Sequence, residues 1–225
     1  MHVSDTINGL RLYPTDVSQL VPLGMGVSIS KASLNTEIAP IASSQGWIFA
    51  PYIYENKTVD LLINESKRSE ILDQFRNWIF DLQLRFKKYS ISVIAHSFGT
   101  YILAVYLSKF ETPPVCFNSI ILTGSIINTS FDWNNYKGKG VVRVRNEIAP
   151  NDQWVKFLPN KWDGFLQSNS LLGRSGTEGF EINSSILTQH NNDIFNPNNV
   201  IKRDIIYRKW LPYLNANRFA IYDPF

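Results

Sequence analysis

Cysteine is almost missing from this chain: Cys116 is the one thiol in 225 residues. A lone cysteine cannot cross-link the chain to itself, so a disulfide scaffold is excluded and a reducing compartment is expected. Long apolar runs are missing too. The longest such segment is broken by His96, Ser97 and Gly99, so no bilayer-spanning helix is expected. His2, Asp5 and Asn8 interrupt what would be the apolar stretch of a signal peptide. A soluble, cytoplasmic protein is the expectation from these absences. Charge of one sign is also lacking, with 22 Lys and Arg against 19 Asp and Glu. The clusters Lys87-Lys88 and Lys202-Arg203 sit at the edges of predicted helices, and no basic stripe points to a nucleic-acid partner. There are no internal repeats, no low-complexity tracts, and no clustered ligand residues calling for a metal or cofactor.

Apolar residues make up 44% of the chain and aromatics 13%, which argues for a folded globular protein. Its length suits one sizeable core and is short for two, so a single domain over 1–225 is expected. Cys116 precedes an apolar strand and fits a small buried apolar residue.

Residues 1–45 carry few signals. Val27-Ser28-Ile29-Ser30 alternates as a strand does, and Gly24-Met25-Gly26 predicts a turn before it. Residues 47–50 form a short apolar run, predicted to be a strand stopped by Pro51. Ile71, Leu72, Phe75, Trp78, Ile79, Leu82 and Phe86 recur at steps of three and four, the period of an amphipathic helix. Ser66 or Ser69 is the expected cap. Residues 91–96, 119–124 and 141–146 are predicted strands. The final helix, predicted over 200–214 with Pro197 opening it, turns Val200, Ile201, Ile205, Ile206, Trp210, Leu211 and Leu214 inward. Strands alternating with helices imply a mostly parallel central sheet with helices on both faces, an α/β fold. In such sheets ligands bind beyond the carboxyl ends of the strands.

One such end carries chemistry. The run Ile91-Ser92-Val93-Ile94-Ala95-His96-Ser97-Phe98-Gly99-Thr100 reads as a strand, a sharp turn bearing a serine, and the start of an apolar helix. A tight turn needs small neighbours, and Ala95 and Gly99 stand two residues to either side of Ser97. The alternative role for Ser97 is to cap the helix that follows. His96 adjoins the serine, but neighbouring side chains in such a turn point apart, so it is read as local packing.

Ala95-His96-Ser97-Phe98-Gly99 resembles the G-x-S-x-G nucleophile elbow of the α/β-hydrolase superfamily, with alanine in first place. The resemblance implies a serine nucleophile, then an acid, then a histidine in chain order. His190 is the one histidine after Ser97. It lies in Thr188-Gln189-His190-Asn191-Asn192-Asp193-Ile194-Phe195, predicted to be a polar loop, which is similar to the late histidine loop of that superfamily. For the acid, Asn146 through Asn151-Asp152-Gln153-Trp154 resembles its acid loop, which gives Asp152 as first choice. Glu147 and Asp163 are second choices, and Asp132 is weaker. Asp152 could equally cap a turn.

The resemblance covers about Trp47 to Leu214 and fails over the first fifth of the chain. One oxyanion donor is expected to be the backbone N–H of Phe98; the second normally comes from an early loop marked by His-Gly, and no such pair exists. Three explanations stay open: an unmarked early loop, an early strand supplied by an upstream segment or partner, or an incomplete hole. The expected reaction is hydrolysis of a carboxylic ester or related acyl bond in a small-molecule or lipid substrate, by a Ser97–His190–Asp152 triad. The rival is a weak or inactive hydrolase-fold module that binds a partner. Residues 159–179 are read as an excursion over the active-site end or a plain surface loop. Trp154, Phe157, Trp162 and Phe165 fit an acyl pocket or core packing.

Overall fold

Six parallel strands form the sheet. The computed structural model describes residues 24–29, 32–54, 64–87, 89–151, 171–191 and 203–216. In chain order these give β1 (Gly24–Ile29), α1 (Ala32–Ser44), β2 (Trp47–Tyr52), α2 (Glu65–Arg85), β3 (Ile91–His96), α3 (Phe98–Ser108) and β4 (Phe117–Thr123). A 3₁₀ turn (Trp133–Tyr136), β5 (Val144–Ile148), α4 (Ser175–Glu178) and β6 (Leu187–Asn191) follow. The last helical segment, α5, spans 203–215 and has a π-helical stretch at Ile206–Trp210. That wide stretch directly precedes Pro212. In a regular helix the proline ring would clash with the carbonyl four residues back, and a wider turn relieves this.

The strand order is β2-β1-β3-β4-β5-β6, and every pairing is parallel. From β1 the chain steps outward to β2, returns past β1 to β3, and then runs steadily to the far edge. The reversal therefore falls between β1 and β3. In an open parallel sheet, the crevice at the carboxyl ends of such a pair is where ligands bind.

Alternation along the strands fills both faces. Ile91, Val93 and Ala95 of β3, with Ile120 and Leu122 of β4, join Ile71, Phe75 and Ile79 of α2 and Ile102 of α3 in one cluster. Ile94 and Ile121 turn the other way, to Ile38 and Ile41 of α1 and to Ile206, Trp210 and Leu214 of α5. Helices thus cover both faces, as the strand-helix rhythm requires. No helix among the described residues is long and apolar enough to cross a membrane.

Several local expectations are corrected. Gly24, Met25 and Gly26 lie inside β1, not in a turn, because backbone pairing to β2 and β3 on both sides outweighs glycine's preference. β2 runs through Pro51, which is tolerated because β2 is an edge strand. The cap of α2 is Asn64, whose side chain accepts from the Lys67 N–H at 3.1 Å, in place of Ser66 or Ser69. β5 starts at Val144, while Val141 makes isolated bridges to Phe117 and Lys137. His190 lies in β6 and not in a loop. Val200, Ile201 and Pro197 lie outside the described residues.

Candidate active site

The elbow follows from an abrupt change of period. β3 is buried from Ile91 to Ala95 and every residue from Phe98 to Leu107 is buried, so the chain passes at once from buried strand to buried helix. Ser97 makes that turn with φ 52° and ψ −121°. It is the one non-glycine residue with positive φ among the described residues. A side chain held there costs about 1–3 kcal/mol, and such strain clusters at functional sites. Ala95 and Gly99 are both buried, so the turn is closely walled by small residues.

Hydrogen bonds hold the strained backbone. Ser97 N–H donates to the Thr123 carbonyl at 3.0 Å, extending the β3–β4 pairing one residue past His96. The Ser97 carbonyl accepts from Thr100 N–H at 3.0 Å and from Thr100 Oγ1 at 2.6 Å. The Ser97 side chain makes no capping bond to α3, which removes the capping alternative. Among the described residues its hydroxyl has no hydrogen-bond partner, and neither does the Phe98 N–H. The elbow therefore sits at the carboxyl end of β3, beside β1, with no partner for its hydroxyl or for the Phe98 amide among the described residues.

Beside it stands Tyr54, just past the end of β2. Its ring packs edge-on against Phe98 at 5.7 Å, and it is 5% exposed. Burial raises its hydroxyl well above the ordinary tyrosine range, opposed in part by the Gly99 backbone N–H. The phenol stays protonated and able to donate at the start of α3. Tyr54 was not among the residues expected from sequence, because nothing local distinguishes it from a core aromatic. Ser30 and Lys31, the next residues after β1 in sequence, lie outside the described residues. β1 itself shows that this chain supplies an early strand next to β3, so an early strand missing from the chain is no longer needed to explain the absent His-Gly pair.

The structure does not bring Ser97 and His190 into hydrogen-bond contact. His190 is half-buried on β6, in register with Glu147 of β5, which in turn is level with Thr123 of β4 and His96 of β3. Three strand spacings separate β3 from β6, about 14 Å. The His190 imidazole has its pKa lowered, first by burial, then by Arg145, with Lys209 adding to this and Glu147 opposing it. It is thus biased toward the neutral form that can accept a proton.

Of the candidate acids, Asp152 and Asp163 lie outside the described residues. Glu147 is fully buried and already committed: Arg145 Nε donates to it at 2.6 Å and Trp210 Nε1 at 3.0 Å. Asp132 caps the 3₁₀ turn, accepting from Asn134 N–H at 2.9 Å. Cys116 is half-buried, and burial pushes its thiol up to about 11, so it is a poor nucleophile near neutral pH.

The described part of the 159–179 excursion is not a plain surface loop. Leu172 and Ser175, Gly176 and Thr177 are buried. Gly176 N–H donates to the Ser125 carbonyl at 2.8 Å, Ala149 N–H donates to the Gly176 carbonyl at 2.8 Å, and Asn146 Nδ2 donates to the Ser175 carbonyl at 2.8 Å. The segment ties together the carboxyl ends of β4 and β5, where the chain leaves toward Asp152. The aromatics at 154, 157, 162 and 165 lie outside the described residues. A small apolar cavity between α1, α5 and the sheet, lined by Ile38, Trp47, Ile94 and Leu211 among others, lies away from the elbow.

No family model matches the chain, and no curated protein sequence matches it significantly. Among solved structures it is similar to a predicted CIB-like hydrolase from Thermoplasma acidophilum, with 10% sequence identity and a TM-score of 0.47. That likeness covers 90% of this chain and 89% of the other. The chemistry of the site therefore has to follow from this chain's own geometry.

Proposed function

We propose that the chain is a serine hydrolase of the lipase or esterase kind, cleaving a carboxylic ester or related acyl bond at Ser97. The observation that carries this reading is the positive φ of Ser97 at the β3–α3 junction, with no hydrogen-bond partner for its hydroxyl among the described residues. Strain of that kind is retained where the surroundings enforce it, and here it holds a hydroxyl in the crevice of a parallel sheet.

In this scheme Ser97 Oγ attacks the acyl carbon while His190 takes its proton. Asp152 orients the imidazole and stabilises its charged form. The carbonyl oxygen, now negative, is held by Phe98 N–H and a second donor, for which Tyr54 is the candidate among the described residues. Collapse expels the alcohol, protonated by His190, and leaves an acyl-serine. A water deprotonated by His190 then releases the acid. The base step needs His190 brought within reach of Ser97 across the three strand spacings that separate β3 from β6.

The separation of His190 from Ser97 favours a second reading, a catalytically weak or inactive module that binds a partner or works within a larger assembly. Labelling by a fluorophosphonate probe decides between the two. The enzyme reading expects labelling of the wild-type chain that vanishes in Ser97→Ala and falls by at least about a hundredfold in His190→Ala. A wild-type chain that stays unlabelled, while folded, supports the binding module.

A further inference from the structure

We infer that Thr100 is a positioning residue that aims the Phe98 backbone N–H at the reacting oxygen; this rests on the proposed hydrolysis at Ser97. The Thr100 hydroxyl donates to the Ser97 carbonyl at 2.6 Å and accepts from the Ile126 N–H at 3.1 Å. Thr100 is fully buried, so no water competes for either bond. A hydroxyl has one proton. With the Ile126 N–H directed at its oxygen, that proton is directed to Ser97.

The carbonyl of Ser97 and the N–H of Phe98 belong to one planar peptide unit, in which the two groups point in opposite directions. Holding the carbonyl inward against Thr100 therefore turns the Phe98 N–H outward. Threonines near helix starts often bond back to a carbonyl three residues earlier. This one differs in two respects. The carbonyl it holds belongs to the residue with φ 52°, and its own oxygen is fixed by the segment leaving β4. The chain of bonds from Ile126 through Thr100 to Ser97 thus couples the exit of β4 to the direction of the oxyanion donor. A turn that relaxed out of positive φ would rotate this peptide unit and lose the donor.

The test compares Thr100→Val, which keeps the shape and removes the hydroxyl, with Thr100→Ser, which keeps the hydroxyl. Two readouts are taken on each folded variant: the second-order rate of fluorophosphonate labelling, and the orientation of the 97–98 peptide in a crystal structure. Thr100→Val is expected to label about 10- to 100-fold more slowly, approaching the loss of one oxyanion donor, with that peptide rotated. Thr100→Ser is expected to label within about threefold of wild type, with the peptide unchanged. If Thr100→Val does not fold, Thr100→Ala takes its place with the same expectation. A hydroxyl-free variant that keeps both the wild-type rate and the wild-type peptide orientation overturns the inference. A wild-type chain that does not label, alongside a rotated peptide in Thr100→Val, overturns the hydrolase reading and with it the role toward a reacting oxygen, and leaves only the hold of Thr100 on the 97–98 peptide.

Discussion

Glu147 of β5 and His190 of β6 are register partners on adjacent parallel strands, yet Glu147 does not govern the imidazole. Its carboxylate is shared between Arg145 and Trp210 Nε1. Arg145 and Lys209, together with burial, lower the His190 pKa against the pull of Glu147. The sign has two consequences. A base must be deprotonated to act, so the acid limb of the labelling rate is expected below the ordinary histidine value of about 6.5. The unfolded chain binds the proton more readily than the folded one, so this residue's contribution to stability is lost as pH falls below about 6.5. Labelling rates from pH 4.5 to 8, with His190→Gln as control in urea titrations, check both. A limb above 6.5 contradicts the arrangement.

Tyr54→Phe removes a hydroxyl and leaves the ring packed against Phe98. If that hydroxyl is the second oxyanion donor, labelling falls by about tenfold or more while the melting temperature stays within a few degrees. An unchanged rate excludes the Tyr54 hydroxyl as the second donor.

Gly176 has no room for a side chain. A Cβ there would lie 2.3 Å from the Ser125 amide nitrogen and 2.7 Å from its carbonyl oxygen, both backbone atoms that cannot swing aside. Gly176→Ala is expected to destabilise by about 3 kcal/mol, at the upper end of overpacking costs, and to slow labelling by loosening the exit of β4. Gly138 offers the contrast. Its φ is +72°, but nothing lies within 4 Å of where a methyl group would stand, so Gly138→Ala carries only the left-handed strain of about 1 kcal/mol. Urea midpoints for the two variants distinguish close approach from conformational strain. Equal losses would refute the steric account.

Legibility in the sequence follows the strength of local period. α2 was legible because its apolar stripe repeats over about four turns, and β3 and β4 because short β-branched runs end in turn residues. β1 was half legible: Val27 to Ile29 alternate as a strand does, but Gly24 and Gly26 carry the local signature of a turn, and the two-sided pairing is invisible along the chain. β6 was hidden: Leu187-Thr188-Gln189-His190-Asn191 is polar at most positions, as befits an edge strand, and resembled a loop. Pro51 signalled a stop that an edge strand does not obey.

The site divides along the same line. By itself the sequence made the turn at Ser97 legible: a buried apolar strand gives way to an apolar helix, and small residues stand on either side of the serine. It also determined that His190 is the one histidine after Ser97. Only the tertiary structure decided what these residues face. The strand order put Ser97 in the β1–β3 crevice, set His190 three strands away, and consumed Glu147 in a buried ion pair. It also brought Tyr54 and Ile126 to the start of α3 from distant stretches of chain. The physical reason is that backbone turns are decided by near neighbours, whereas register, crossover and burial are decided by partners far apart in sequence.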